Sequence, residues 1–203
     1  MEKLDLTKQL KPLYGGKPGQ FLLVDVPPLN ALMIDGTGDP NTSPAYADAI
    51  TALYAVSYTL KFMGKAATPP VDWKVMPLEG LWWADDMADF ASGRKDRWHW
   101  TMLIVQPDAV TPEMVAAAKE KAAAKVPAKS LAALRLDTLR EGRAGQVLYV
   151  GPWASEGPVI ADLHRFIGEQ GGTLSGKHHE IYLSDPRRVA PEKLKTIIRQ
   201  PMA

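Results

Sequence analysis

The residue in this chain whose surroundings most suggest chemistry is Glu180. It sits in HHEIYLSDP (178–186), whose alternation reads as a strand. Successive strand side chains point to opposite faces, so His178, Glu180, Tyr182 and Ser184 share one face and His179, Ile181 and Leu183 the other. Carboxylates are depleted in strands. One turned toward aromatic rings is partly desolvated, which suits it to act as a general base or to hold a cationic ligand. Spacing alone fits at least as well a half-exposed strand with its polar side in water.

Rings are the second resource. Six Trp and six Tyr stand against four Phe, the choice made where a ring packs on one side and keeps a polar handle on the other. Trp98 and Trp100 share a strand face, while adjacent Trp82 and Trp83 point opposite ways. For any single ring, core packing is the better reading. Several converging from different elements, with Tyr54, Trp153 and Tyr182 among them, would line a stacking cleft for a flat ligand.

Other chemistries find no support. The histidines (His99, His164, His178, His179) show no HExxH or HxxEH spacing, so no metal is expected. There are no cysteines, which excludes disulfides and thiolate chemistry. GTGDPN (36–41) lacks the glycine pattern of a dinucleotide loop and no GxSxG is present, so no cofactor is expected. The net charge of +1 gives a nucleic-acid partner no basic excess to work with. Lysines 119, 121, 125 and 129 read as a solvated helix face. The opening MEKLDLTKQLKPLYGG lacks a signal peptide's apolar core, and no run approaches a membrane span. A cytoplasmic location follows by elimination.

The elements that position these residues are readable in outline. Residues 1–20 form a polar lead-in. FLLVDV (21–26) and LNALMIDG (29–36) are strand-like. Ser43 as cap and Pro44 at the first helical position open a helix over 44–63, which Gly64 is placed to end. VDWKVMP (71–77) and LEGLWWA (78–84) read as short strands, 85–96 as a loop, and WHWTMLIVQP (98–107) as the strongest strand. Thr111 and Pro112 open a helix over 111–124. Then follow a strand-like LAALRLDTLREG (131–142), strand 145–153, a helix near 156–170 ending at Gly171-Gly172, strand 178–186 and strand 194–202. Pro191 allows a helical turn before the last of these.

The order strand–helix–strand–strand thus occurs twice. We read an α+β fold of two pseudo-duplicated units with antiparallel sheets around a central ligand cleft. The expected division is a single domain over 21–203, with half one at about 21–107, an inserted helix at 111–124 and half two at about 130–202.

VLYVGPW, then a helix, then HEIYLSDP resembles the C-terminal half of GyrI-like small-molecule-binding domains. SPAYADAITALYAVSYTLKF, DWKVMPLEGLWW and WHWTMLIVQPD resemble the stand-alone branch of that superfamily. The resemblance covers about residues 20–202. It implies a cleft for flat hydrophobic or cationic molecules, with Glu180 as its central acidic residue. Some relatives are sensor halves of multidrug-responsive regulators, and the roughly 20 residues before the first strand cannot hold a helix-turn-helix. Others are hydrolases that open the cyclopropane of DNA-alkylating natural products in detoxification. By that likeness Glu180 would activate water, Tyr149 (with Tyr182 in reserve) would donate to the developing oxyanion, and Trp83 and Trp100 would sandwich the ligand. The alternative is a non-catalytic module that sequesters drugs or binds a partner protein.

Overall fold

The computed structural model describes residues 3–86 and 93–203. Part of the segment read as a loop (87–92) lies outside them. Among the described residues the strands are β1 (Phe21–Val26), β2 (Leu29–Thr37), β3 (Leu78–Ala84), β4 (Trp98–Val105), β5 (Arg135–Leu139), β6 (Gly142–Val150), β7 (His178–Tyr182) and β8 (Lys195–Pro201). The helices are α1 (Leu6–Gln9), α2 (Pro44–Ala66), α3 (Pro112–Ala122), α4 (Ala128–Ala133) and α5 (Gly157–Glu169). The α+β class and the doubled order are as expected: β2–α2–β3–β4 and β6–α5–β7–β8. In both repeats the last strand lies in the middle, giving the internal orders β3-β4-β2 and β7-β8-β6.

The chain forms two compact units. Unit one holds Leu29–Met76 and Trp82–Leu139 with the N-terminal residues to Leu6; unit two holds Thr7–Pro28, Pro77–Leu81 and Arg140–Ala203. In unit one, β2 pairs antiparallel with β4 on one side and β5 on the other. Helix α2 packs on β2 and β4, and α3 packs on α2. The buried stripe Ala49, Ala52, Leu53, Val56, Ser57, Leu60 and Gly64 follows helical spacing.

Several expectations need correction here. Gly64 does not end α2, which runs to Ala66. Its missing side chain instead leaves a notch for the buried Trp73 ring, with which a Cβ would collide. Ser43 occupies the cap position without a side-chain cap bond, whereas the Thr111 hydroxyl accepts from the Met114 N–H at 3.3 Å. VDWKVMP is not a strand: it pairs only where Trp73 bridges Leu4. Lys61 pins it instead, through an ion pair with Asp72 and a 2.6 Å bond to the Trp73 carbonyl, while Pro77 denies it a ladder donor. LAALRLDTLREG splits into the end of α4 and β5.

Unit two is built on antiparallel strands in the order β1-β6-β8-β7. Helix α5 packs on β6 and β8. It buries Leu163 and Ile167 against Val147, Ile198 and Met202, and Phe166 stacks on Phe21 at 5.6 Å. Residues 12–14, read as lead-in, belong to this unit, where Leu13 and Tyr14 are buried.

Candidate functional site

Strand register sets up the site in unit two. Thr196 of β8 faces Tyr149 of β6 on one side and Tyr182 of β7 on the other, while Ile198 lies between Val147 and Glu180. Period-two alternation puts all six side chains on the face that α5 covers. His178 and Glu180 share that face as the sequence implied. The His178 Nε2 lies 3.1 Å from Glu180 Oε1, and the Tyr182 hydroxyl donates to Oε2 at 2.9 Å. Both carboxylate oxygens are therefore held, and each keeps a second lone pair for a further donor. The Glu180 side chain is 15% exposed, so it is neither sealed nor simply solvated.

The turn after β6 supplies the rest. Tyr149 folds back so that its hydroxyl donates to the Pro152 carbonyl at 3.1 Å. Gly151 permits this: its φ is +153° and a Cβ there would collide with that hydroxyl. Residues Trp153–Ser155 then form a 3₁₀ turn. The Trp153 Nε1 donates to Thr196 Oγ1 at 3.0 Å, and its ring meets Tyr182 edge-on at 5.4 Å. Trp153 stays exposed, leaving an aromatic surface beside a carboxylate.

Sequence reasoning missed Glu156. It is 3% exposed, and it stands at the cap position of α5 without making a cap bond. Its Oε1 is buried without a hydrogen-bond partner. Burial, and then the nearness of Glu180, push its pKa up to about 9, against the opposing pull of a hydrogen bond with Thr196. Tyr149 is also raised, by burial and then by Glu156. On α5, His164 is held below the ordinary imidazole value by burial and by the neighbouring His178, although a bond with Gln200 pulls the other way. In the sequence Glu156 reads only as the first residue of the helix expected near 156–170, and nothing in its spacing marks it as buried.

The opposite face of β7 carries a second polar group. The His179 Nδ1 lies 2.9 Å from Glu141 Oε1, and its Nε2 lies 3.0 Å from Glu79 Oε2. Tyr14 donates to Glu79 Oε1 at 2.8 Å. Arg199 reaches Glu141 Oε2 at 3.1 Å, Gln146 Oε1 at 3.0 Å and the Leu13 carbonyl at 2.7 Å. Burial alone would lower the His179 pKa, but Glu141 and Glu79 outweigh it and hold it at about 9. Burial alone would raise Glu141, but His179 and Arg199 bring it to about 2.

The remaining rings lie in unit one. Trp100 is fully buried, edge-on to Tyr46 at 5.3 Å, and Trp82 lies 5.9 Å from both Tyr46 and Trp98. Trp83 stacks on His99 at 5.6 Å, Lys95 sits over the Trp98 ring at 5.6 Å, and Tyr54 lies 6.4 Å from Tyr58. A surface hollow of about 400 Å³ is lined by Trp98, His99, Thr37, Arg97 and the aspartates 85, 86 and 96. None of the Glu180 group lines it. Among the described residues, no group of three or more His, Asp or Glu is placed to hold a metal ion, and no helix is long and apolar enough to cross a membrane.

The chain is similar along its whole length to solved structures. An uncharacterized conserved protein from Listeria innocua is 39% identical, with a TM-score of 0.88 over 99% of this chain and 100% of that one. A hydrolase from Listeria innocua is 38% identical, with a TM-score of 0.85 over 99% and 100%. The C-terminal domain of EcmrR shares the fold at 12% identity, with a TM-score of 0.57 over 91% and 97%. No curated protein matches the chain. The model of the GyrI-like small molecule binding domain matches residues 20–202. The chain therefore belongs to the GyrI-like small-molecule-binding family.

Proposed function

We propose that this protein is a hydrolase that opens the cyclopropane of DNA-alkylating cyclopropanoid compounds, a detoxifying activity centred on Glu180. The observation that carries the reading is the Glu180 carboxylate, fixed by His178 and Tyr182 and bordered by the Trp153 ring. The 38% identity to a hydrolase over the full chain supports it.

In such a ligand the strained ring is conjugated to a dienone. Water attacks the ring methylene and gives a proton to Glu180. The ring C–C bond breaks, and its electron pair moves through the dienone to the carbonyl oxygen. A hydrogen bond to that oxygen lowers the barrier. Tyr149 is suited to supply it, with the ligand oxygen competing against the Pro152 carbonyl for the hydroxyl proton. Because the ring is already activated, a site with few groups suffices.

The test is turnover of an intact cyclopropanoid, read as the ring-opened alcohol by mass spectrometry. Glu180→Gln keeps the shape and removes the base, so turnover should fall by about 10²–10⁴-fold while a flat neutral ligand binds as before. If the wild type leaves the ring intact and Glu180→Gln weakens only cationic ligands, the protein is a binding module and not a hydrolase. Unchanged behaviour of Glu180→Gln in both assays would remove Glu180 from the site.

A further inference from the structure

We propose that Glu156 is a second catalytic carboxyl group, the proton donor that complements Glu180. The inference rests on the hydrolase reading and adds a residue to it. Glu156 is almost wholly buried and leaves Oε1 without a partner. An orphaned buried polar atom of this kind carries a desolvation penalty and calls for an explanation. A ligand oxygen is a partner that would satisfy it.

Its surroundings suit the role. Glu180 on β7 acts on it, and it acts in turn on Tyr149 on β6. Thr196 on β8 accepts from Trp153 and keeps its own hydroxyl proton for the Glu156 carboxyl. Two carboxyl groups that feel each other's charge, with one sunk deeper than the other, divide the labour of acid and base: the buried one holds a proton and the more exposed one is free to take one. Tyr149 cannot replace the acid. Burial and the nearby Glu156 raise its pKa, so it can lend a hydrogen bond but is slow to release its proton.

The step balances without a further reactant. The water oxygen bonds to the ring methylene, and the proton it loses goes to Glu180. The electron pair of the broken C–C bond arrives at the dienone oxygen, which takes the Glu156 proton and becomes a phenol. One water has been added to the ligand and one proton has passed from Glu156 to Glu180. Exchange with solvent restores both carboxyl groups.

Two measurements test this. The first is the infrared carbonyl stretch of a protonated carboxyl group, recorded on the wild type at pH 7 and titrated upward. The band should be present, be absent from Glu156→Gln, and bleach in the wild type only as the pH nears about 9. A wild type without that band overturns the proposal, whether or not the variant folds. The second is the pH profile of cyclopropanoid turnover. Glu156→Gln should lower turnover by about 10²-fold and erase the alkaline limb of the wild-type profile, while Glu156→Asp restores part of both. If Glu180→Gln abolishes turnover and Glu156→Gln leaves rate and profile unchanged, the donor role is wrong and the hydrolase reading stands. If the wild type never opens the ring, the hydrolase reading falls and takes the donor role with it.

Discussion

The two faces of β7 each meet a group of histidine, tyrosine and carboxyl side chains, and the two groups are put to opposite uses. On one face His179 is clamped between Glu79 and Glu141, with Arg199 and Tyr14 completing the group. Cationic groups there alternate with carboxyl groups, and His179 and Arg199 are fully buried. On the other face His178 meets Glu180, and beyond it lies Glu156 with an oxygen left over. Ionic groups packed in charge-balanced partnership hold strands in register. Carboxyl groups crowded together with a missing partner are poised for something that arrives from outside.

Matched substitutions should separate the faces. The largest effect belongs to the sealed side. Glu141→Gln leaves the His179 and Arg199 charges short of their counter-charge, and the folded state should lose about 3–5 kcal/mol, the range for breaking a buried pair. Glu180→Gln removes the same charge from the other face, and the unfolding free energy read from urea titration should change by no more than about 1.5 kcal/mol. Equal losses would erase the distinction between the faces.

Acidity gives the next largest signal. His179 keeps its proton up to about 9 instead of the ordinary 6.5, so its stabilisation is full below pH 6.5 and is lost as pH rises through 9. Glu141 is held at about 2 instead of 4.5, so its contribution is full above pH 4.5 and is lost as pH falls toward 2. Glu156 adds a slope of its own. A carboxyl raised from 4.5 to about 9 binds more proton folded than unfolded, so stability declines with rising pH across that interval. Urea unfolding from pH 3 to 10 should therefore show a maximum near pH 4.5, and Glu156→Gln should flatten the fall immediately above it into a plateau that lasts to about 6.5. A variant with the wild-type slope there would show that Glu156 is not the titrating group.

The smallest effect concerns Tyr182. Tyr182→Phe deletes one donor to Glu180 and should cost about 0.5–1.5 kcal/mol by chemical denaturation. By freeing Oε2 it should also raise the affinity for a lipophilic cation, measured by titration calorimetry. Weaker cation binding would mean that Tyr182 helps hold the ligand.

What the sequence disclosed follows the range of each interaction. Strand alternation over 178–182 was enough to join Glu180 to His178 and Tyr182 and to part His178 from His179. Thr111 and Pro112 announced α3 because capping is a matter between neighbours. The Arg199 group was not legible. Its members come from α1's flank, β3, the start of β6, β7 and β8, and they meet only through strand register. Gly64 misled for the same reason: a glycine near the end of a helical pattern reads as a terminator, and only its approach to Trp73 explains it. Glu156 was hidden because a carboxylate at the start of an expected helix reads as an ordinary solvated end, and only the fold buries it.

Strand β1 has one consequence for the chain's birth. It leaves the ribosome ahead of β2 through β5, yet its partner is β6, with Phe21 opposite Val147. Until residue 147 has been made, FLLVDV is an unpaired apolar ribbon attached to a growing chain, the kind of edge that recruits wrong partners. Unit one can close while β1 waits; unit two cannot. Chaperone demand during translation should therefore rise early and fall only when the second half emerges.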